Sequence, residues 1–290
     1  MFTVSLIAAP GRLDPELAAS LRNAWGGGEL VWLSPDEAAE FEIKTRSAHE
    51  DEIWQSLQAS SVDLAVQRSE SRRKRILIAD MDSTMIQQEC IDELAAEAGV
   101  GERVAAITAR AMNGELDFEE ALRERVGLLA GLPVTVIDKV LAERITLMPG
   151  GPELVATMRA SGAYTALVSG GFTSFTGPIA DRLGFHENRA NTLLETDGAL
   201  TGQPGDPILG REAKVIALKE IADRLGITPA DAIAVGDGAN DLGMLQLAGT
   251  GVALHAKPSV QAEARIRINH ADLTSLLFLQ GYSRDEFISG

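Results

Sequence analysis

The pattern of apolar and polar positions divides the chain into stretches with different periods. In residues 1–70 short apolar runs alternate with helical spacing. Thr3–Ala9 reads as a strand, and Pro15–Trp25 puts Leu17, Ala18, Leu21 and Trp25 on one helical side before Gly26-Gly27-Gly28 stops it. Glu29–Leu33 and Ala39–Lys44 read as strands, His49–Gln58 as a helix and Val62–Gln67 as a strand. The predicted order is βαββαβ, that of a ferredoxin-like sandwich. All three tryptophans (Trp25, Trp32, Trp54) lie here, which predicts a core belonging to this stretch. Ser69–Arg75, S-E-S-R-R-K-R, reads as a charged, solvated linker.

The period then changes. Ile76–Ala79 is a continuous apolar run, as in a strand buried on both faces of a parallel sheet. Helical spacing follows at Gln87–Gly99, Glu102–Asn113, Asp117–Leu129 and Val134–Arg144, with Asp117 and Glu120 placed as a capping box. Four helices without a strand predict an inserted helical cap, about residues 88–146. Alternation returns afterwards. Helices are predicted at Gly151–Ser161, Phe172–Leu183, Arg211–Leu225, Leu242–Ala248 and Val260–Ala264. Strands are predicted at Ala163–Val168, Ala232–Val235 and, as the last, Gly251–Leu254, with a short β-excursion over Asn188–Glu195 and Leu200–Gly202. This is the rhythm of an α/β, doubly wound parallel sheet. The predicted division is a small α+β domain over 1–70 and a larger domain over 71–290, with a core of 71–87 and 147–290.

Composition narrows the function. A net charge of −16 argues against nucleic acid or an anionic membrane as partner, since both need clustered Lys and Arg. It also makes each basic residue near the acidic loops informative if the substrate is an anion. The one cysteine, Cys90, excludes an intrachain disulfide and reads as a small buried apolar residue. The start lacks a basic n-region, and no run approaches the ~20 apolar residues of a membrane span. A cytoplasmic protein is expected.

Three predicted strands end in polar loops: Asp80-Met81-Asp82-Ser83-Thr84, Ser169-Gly170-Gly171 and Gly236-Asp237-Gly238-Ala239-Asn240-Asp241. Ligands of open α/β sheets bind beyond the carboxyl ends of the strands. Carboxylates facing one spot repel unless a hard cation lies among them, and Mg²⁺ binds through one or two carboxylates plus substrate phosphate. Ser169 with the N–H groups of a Gly-Gly turn at a helix start can hold phosphate oxygens, and Lys214 supplies positive charge. Together these suit displacement at phosphorus with a carboxylate as attacking group. Singly, the Asp80–Thr84 and Gly236–Asp241 loops could be helix-capping turns, and Glu89 and Arg125 could be a surface pair. The four histidines show no metal-site spacing.

D-M-D-S-T, S-G-G, the lone Lys214 and G-D-G-A-N-D, in this order, resemble the haloacid dehalogenase (HAD) superfamily of phosphatases, from about Arg75 to at least Lys257. The cap segment Met112–Pro133, with Glu89 in E-C-I-D-E-L-A-A-E-A-G, is similar to the phosphoserine phosphatase family within it. The resemblance implies Mg²⁺-dependent hydrolysis of O-phosphoserine, the last step of serine biosynthesis, through an aspartyl-phosphate on Asp80. Asp82 would be the acid and base. The Asp80 carboxylate, the Asp82 carbonyl and Asp237 would hold Mg²⁺, with Asp241 in support. Ser169, Gly170 and Lys214 would bind phosphate with Asn240 nearby, and Glu89, Arg125 and Phe118 would bind the rest of the substrate. Alternatives are a related phosphatase of phosphoethanolamine, phosphohomoserine or a sugar phosphate, or a regulatory module modified on Asp80. Residues 1–70 depart from the minimal family form. Their topology resembles the ACT domain, and an exposed sheet edge there would allow a homodimer.

Overall fold

Strand β1 (Phe2–Ile7) is buried at every position but Phe2, polar Thr3 and Ser5 included, and both of its faces are therefore covered. The computed structural model, which describes residues 1–112 and 115–290, shows what covers them. Helix α1 (Pro15–Ala24), β2 (Val31–Ser34), β3 (Ala38–Ile43), α2 (Glu50–Gln58) and β4 (Asp63–Arg68) complete the first stretch, in the βαββαβ order expected. The strands form an antiparallel sheet in the order β2-β3-β1-β4. Val4, Leu6, Phe41, Leu64 and Val66 share a core with Ala18, Leu21 and Leu57, so one face carries the helices. The face bearing Thr3 and Ser5 receives α12 (Ser275–Leu279), from the other end of the chain.

The following elements are β5 (Ile76–Ala79), α3 (Cys90–Glu97), α4 (Gly101–Met112), α5 (Phe118–Gly127), α6 (Thr135–Glu143), α7 (Gly151–Ala160), β6 (Tyr164–Phe172), α8 (Thr173–Leu183) and β7 (Glu187–Asn191). Then come β8 (Leu193–Thr196), β9 (Ala199–Pro204), α9 (Arg211–Leu225), β10 (Ala232–Gly236), α10 (Leu242–Leu247), β11 (Thr250–Leu254), α11 (Pro258–Glu263) and β12 (Ile266–Ile268). The larger sheet has the order β12-β11-β10-β5-β6-β7, and its strands pair in parallel where β6 meets β7 and β10 to β12 adjoin. This is the expected doubly wound α/β sheet. The chain forms two compact units, one of Met1–Ile78, Pro149–Thr165 and Leu218–Gly290, the other of Ala79–Met148 and Ala166–Ala217. No helix among the described residues is long and apolar enough to cross a membrane.

Several expectations change. The Ser69–Arg75 run is solvated over Glu70, Ser71, Arg73 and Arg75, but it is also docked through some of its basic side chains. Arg72 donates to Leu279 O (3.0 Å) and pairs with Glu40, Arg73 lies 4.0 Å from the Tyr282 ring centroid, and Lys74 donates to Ala230 O (2.9 Å). The β-excursion resolves into β7, an edge strand of the larger sheet, and a separate β8–β9 hairpin. Thr250–Leu254 is not the last strand, because three-residue β12 follows, too short to show a period. Strand β6 runs on through Ser169-Gly170-Gly171 to Phe172, with a register shift between Val168 and Phe172, so the glycines end a strand and α8 starts only at Thr173. Asn113, the expected end of α4, lies outside the described residues.

Asp63 ties β4 to the loop after β12. It is fully buried, and its carboxylate accepts the backbone N–H groups of Asn269 (2.8 Å), His270 (3.0 Å) and Ala271 (2.9 Å). Asp63→Ala strands three donors, at roughly 1–3 kcal/mol for each one left without a partner. The expected result is a loss of about 3 kcal/mol or more, read as a lower urea midpoint. An unchanged midpoint would mean that water replaces the carboxylate at no cost.

Candidate active site

All four residues of β5 are fully buried, so the first polar group beyond the sheet is the Asp80 carboxylate, itself 4% exposed. A buried carboxylate needs partners. Lys214 Nζ, on the first turn of α9 and 2% exposed, stands 2.8 Å from Asp80 Oδ1, and Met81 N–H donates to the same oxygen at 2.8 Å. A tight turn follows, in which the N–H groups of Thr84, Met85 and Ile86 all donate to Met81 O. Ser83 adopts a left-handed backbone (φ 53°), and its Oγ donates to Glu89 Oε1 at 2.6 Å. Asp82 Oδ1 accepts the N–H of Cys90 (3.1 Å) at the start of α3. Burial, with the Glu89 charge in second place, raises the Asp82 carboxyl to about 7, against the opposing pull of Cys90 and Lys214. Cys90 is fully buried, and burial together with Asp82 pushes its thiol far up, which keeps it protonated.

The end of β6 faces this turn. Ser169 is 3% exposed; its Oγ accepts Gly171 N–H (2.9 Å) and lies 3.5 Å from Asp82 Oδ2. A Cβ at position 171 would stand 2.7 Å from Asp82 Oδ2 and 3.1 Å from Ser169 Oγ, so any side chain here would have to displace them. Asn191, buried at the end of β7, donates to Gly170 O (2.8 Å) and accepts Leu209 N–H (2.7 Å). It thereby braces the Ser-Gly-Gly segment against the loop leading to Lys214. The Phe118 ring lies beside the same segment, 3.3 Å from where a Gly170 Cβ would be.

Helix α5 starts with the expected capping box, Asp117 accepting Glu120 N–H and Glu120 accepting Asp117 N–H. That start places Phe118 in the first turn and Arg125 in the last. Burial lowers the Arg125 pKa, whereas the charges of Asp92, Glu89 and Asp82 raise it. Asp92 was not among the sequence candidates, although it sits on α3 three residues after Glu89. Gly171 and Asn191 were also missed. A glycine in close approach to neighbouring side chains and an asparagine bonded to backbone leave no mark in a single sequence.

The loop after β10 belongs to the other unit. Asp241 is fully buried, and its Oδ2 accepts the N–H groups of Asp237 (3.1 Å) and Gly238 (2.9 Å). A Cβ at Gly236 would come within 2.3 Å of Asp241 Cγ, and one at Gly238 within 2.2 Å of Asn240 Oδ1. Asp241 is thus the brace of this loop, and Asp237 and Asn240 are its partly exposed members. Asp80 on one unit, and Asp237 and Asp241 on the other, each offer carboxylate oxygens. An all-oxygen donor set fits a hard cation such as Mg²⁺.

The family model for haloacid dehalogenase-like hydrolases matches residues 77–246. A phosphoserine phosphatase of Streptomyces coelicolor is 44% identical over 230 residues, 79% of this chain and 56% of that protein. The chain thus spans about half the length of that curated relative. Among solved structures, a HAD family hydrolase of Salmonella enterica serovar Typhi aligns with a TM-score of 0.88 at 30% identity, covering 99% of this chain and all of that one. A probable phosphoserine phosphatase of Vibrio cholerae aligns with a TM-score of 0.80 at 33% identity, covering 98% of this chain and 88% of that one. With more than half of its length matched by the family model, this chain belongs to the haloacid dehalogenase-like hydrolases.

Proposed function

We propose that the chain is a phosphoserine phosphatase that hydrolyses O-phosphoserine to serine and phosphate, in the cytoplasm, as the last step of serine biosynthesis. The observation that carries the reading is the buried Lys214–Asp80 pair beside Asp82 and Ser169, on the unit that also bears Glu89 and Arg125. In the first step an Asp80 oxygen forms a bond to phosphorus while the bond from phosphorus to the serine oxygen breaks. Protonated Asp82 gives its proton to that oxygen, and a carboxyl with a pKa of about 7 can serve as both acid and base near neutral pH. In the second step Asp82 takes a proton from water, whose oxygen bonds to phosphorus and frees Asp80. Ser169, Gly170 and Lys214 hold the phosphoryl oxygens with Asn240 nearby, and Phe118 walls the substrate.

The proposed cofactor is Mg²⁺, for which Asp80, Asp237 and the Asp82 carbonyl, with Asp241 in support, would supply the all-oxygen donors that a hard cation takes. Bound there, it would neutralise charge on the phosphoryl oxygens. As an edge strand of the N-terminal sheet, β2 offers a second copy of the chain a site for pairing in a homodimer.

The test is phosphate release from O-phosphoserine by the purified protein. Turnover with Mg²⁺ and its loss in chelator are expected. Full activity in chelator would contradict the metal assignment, and no turnover of phosphoserine would sink the substrate assignment. Gly171→Ala is a sharper probe. The added methyl must displace Asp82 or Ser169, and a shift of about 1 Å costs about 10²-fold in rate. Such a loss is expected in kcat with the melting temperature nearly unchanged. Parent-like kcat would mean that Gly171 does not set the position of Asp82.

A further inference from the structure

The β8–β9 hairpin forms a two-stranded sheet of its own. Its further backbone partner is the segment that follows α5. Gly131 N–H donates to Leu200 O (2.8 Å), Leu200 N–H to Leu132 O (2.9 Å) and Val134 N–H to Gly198 O (3.0 Å). Pro133 and Ala199 thus face one another as an antiparallel bridge. Helix α5 packs directly on β9, and Arg123 of α5 pairs with Asp206, just beyond the hairpin, at 2.8 Å.

The contact is closest at one glycine. The hairpin register shifts between Leu193 and Glu195, and Gly202 lies opposite with φ +80°, as in a bulge. A Cβ there would stand 2.7 Å from Ala130 Cβ and 3.3 Å from Gly127 O. The end of α5 therefore rests on the Gly202 backbone, and Arg125 lies two residues before Gly127. The other extensive neighbour of α5 is α4, a helix of the same cap.

We propose that the β8–β9 hairpin, through Gly202, sets the position from which α5 presents Arg125, and so determines recognition of the substrate carboxylate. The proposal rests on the role given to Arg125 above. A guanidinium gripping a carboxylate with two parallel hydrogen bonds tolerates little displacement, whereas phosphoryl contacts made by Lys214 and Ser169 do not pass through α5. Gly202 is on this account a positioning residue, and the cap is held by the hairpin at its selective end.

The test compares Gly202→Ala with the parent on O-phosphoserine and on phosphoethanolamine, which lacks the carboxylate. A fall in kcat/KM of about 30-fold on phosphoserine and less than about threefold on phosphoethanolamine is expected. In an Arg125→Ala background the Gly202 substitution should add almost nothing, because both act on one contact. Equal losses on the two substrates, or fully additive losses, would overturn the proposal. If Arg125→Ala itself strikes both substrates equally, the reading of Arg125 fails. If Arg125→Ala is selective and Gly202→Ala is not, the hairpin proposal alone fails.

A second variant covers the case in which Gly202→Ala does not fold. Pro133 and Ala199 occupy a non-hydrogen-bonded antiparallel pair, where Cα atoms lie about 4.5 Å apart, within the range a disulfide spans. Pro133→Cys with Ala199→Cys, once oxidised, should retain phosphoserine turnover within about twofold, because the pairing persists through the cycle. A loss beyond about tenfold that reductant reverses would show that hairpin and α5 part during turnover, and would overturn the proposal.

Discussion

Asp80→Asn yields a folded protein that does not turn over O-phosphoserine. The amide is nearly isosteric with the carboxylate, and its oxygen can still accept from Met81 N–H and Lys214 Nζ, which hold Oδ1 at 2.8 Å in the parent. What it loses is the charge that the proposed nucleophile needs. The uncatalysed reaction is among the slowest known, with enzymatic accelerations up to ~10²¹-fold, so replacing the attacking atom leaves no comparable route. A fall in kcat of about 10⁴-fold or more is expected, the scale on which loss of a catalytic group registers in enzymes that form covalent intermediates. Lys214 loses the Asp80 charge in the same substitution, so a lower melting temperature accompanies the loss. Circular dichroism at 25 °C separates the two effects. Activity within tenfold of the parent would exclude Asp80 as the attacking group.

Arg125→Ala has the second largest expected effect, and it is selective. Phosphoserine carries an ammonium and a carboxylate beyond its phosphate. In the proposed site Lys214 and Ser169 would read the phosphate alone and would admit many monoesters. Arg125 is largely withdrawn from water among the charges of Asp92, Glu89 and Asp82. A fork of this kind can pair with a carboxylate through two hydrogen bonds, and on the proposed reading Glu89 would pair with the ammonium. Removing one partner of a buried charged pair costs roughly 2–5 kcal/mol, because the other is stranded. At tenfold per ~1.4 kcal/mol, kcat/KM for phosphoserine should fall by about 10²-fold or more. Phosphoethanolamine turnover should hardly change. Equal losses on both substrates would assign Arg125 to the cap or the phosphate and remove the physical support for phosphoserine.

Much of this was legible in the sequence because it rests on local rules. The apolar run of β5 ending at Asp80, the capping box of α5 and the order of the polar loops need only period and residue type. Contacts between segments distant in the chain were not legible. Ser69–Arg75 reads as a solvated linker because its residues are charged, yet Arg72 reaches Glu40 and the carbonyl of Leu279. Strand β12 is three residues long, and one alternation (Ile266-Arg267-Ile268) is too short to stand out as a period. The β-excursion was seen, but nothing local distinguishes a strand that joins the sheet, β7, from a hairpin that pairs with the cap. Gly171, Asn191 and Gly202 act through backbone approach and backbone hydrogen bonds, which only the folded chain displays.

On the proposed route, phosphoserine is hydrolysed through a phosphoryl group carried on Asp80. Rapid mixing with phosphate-labelled O-phosphoserine, an acid quench and peptide mapping test that route, since acyl-phosphates survive acid long enough to be located. Label is expected on the peptide containing Asp80, formed as fast as serine is released and absent from Asp80→Asn. Serine release at full rate with no label on the protein, or label on another residue, would contradict it.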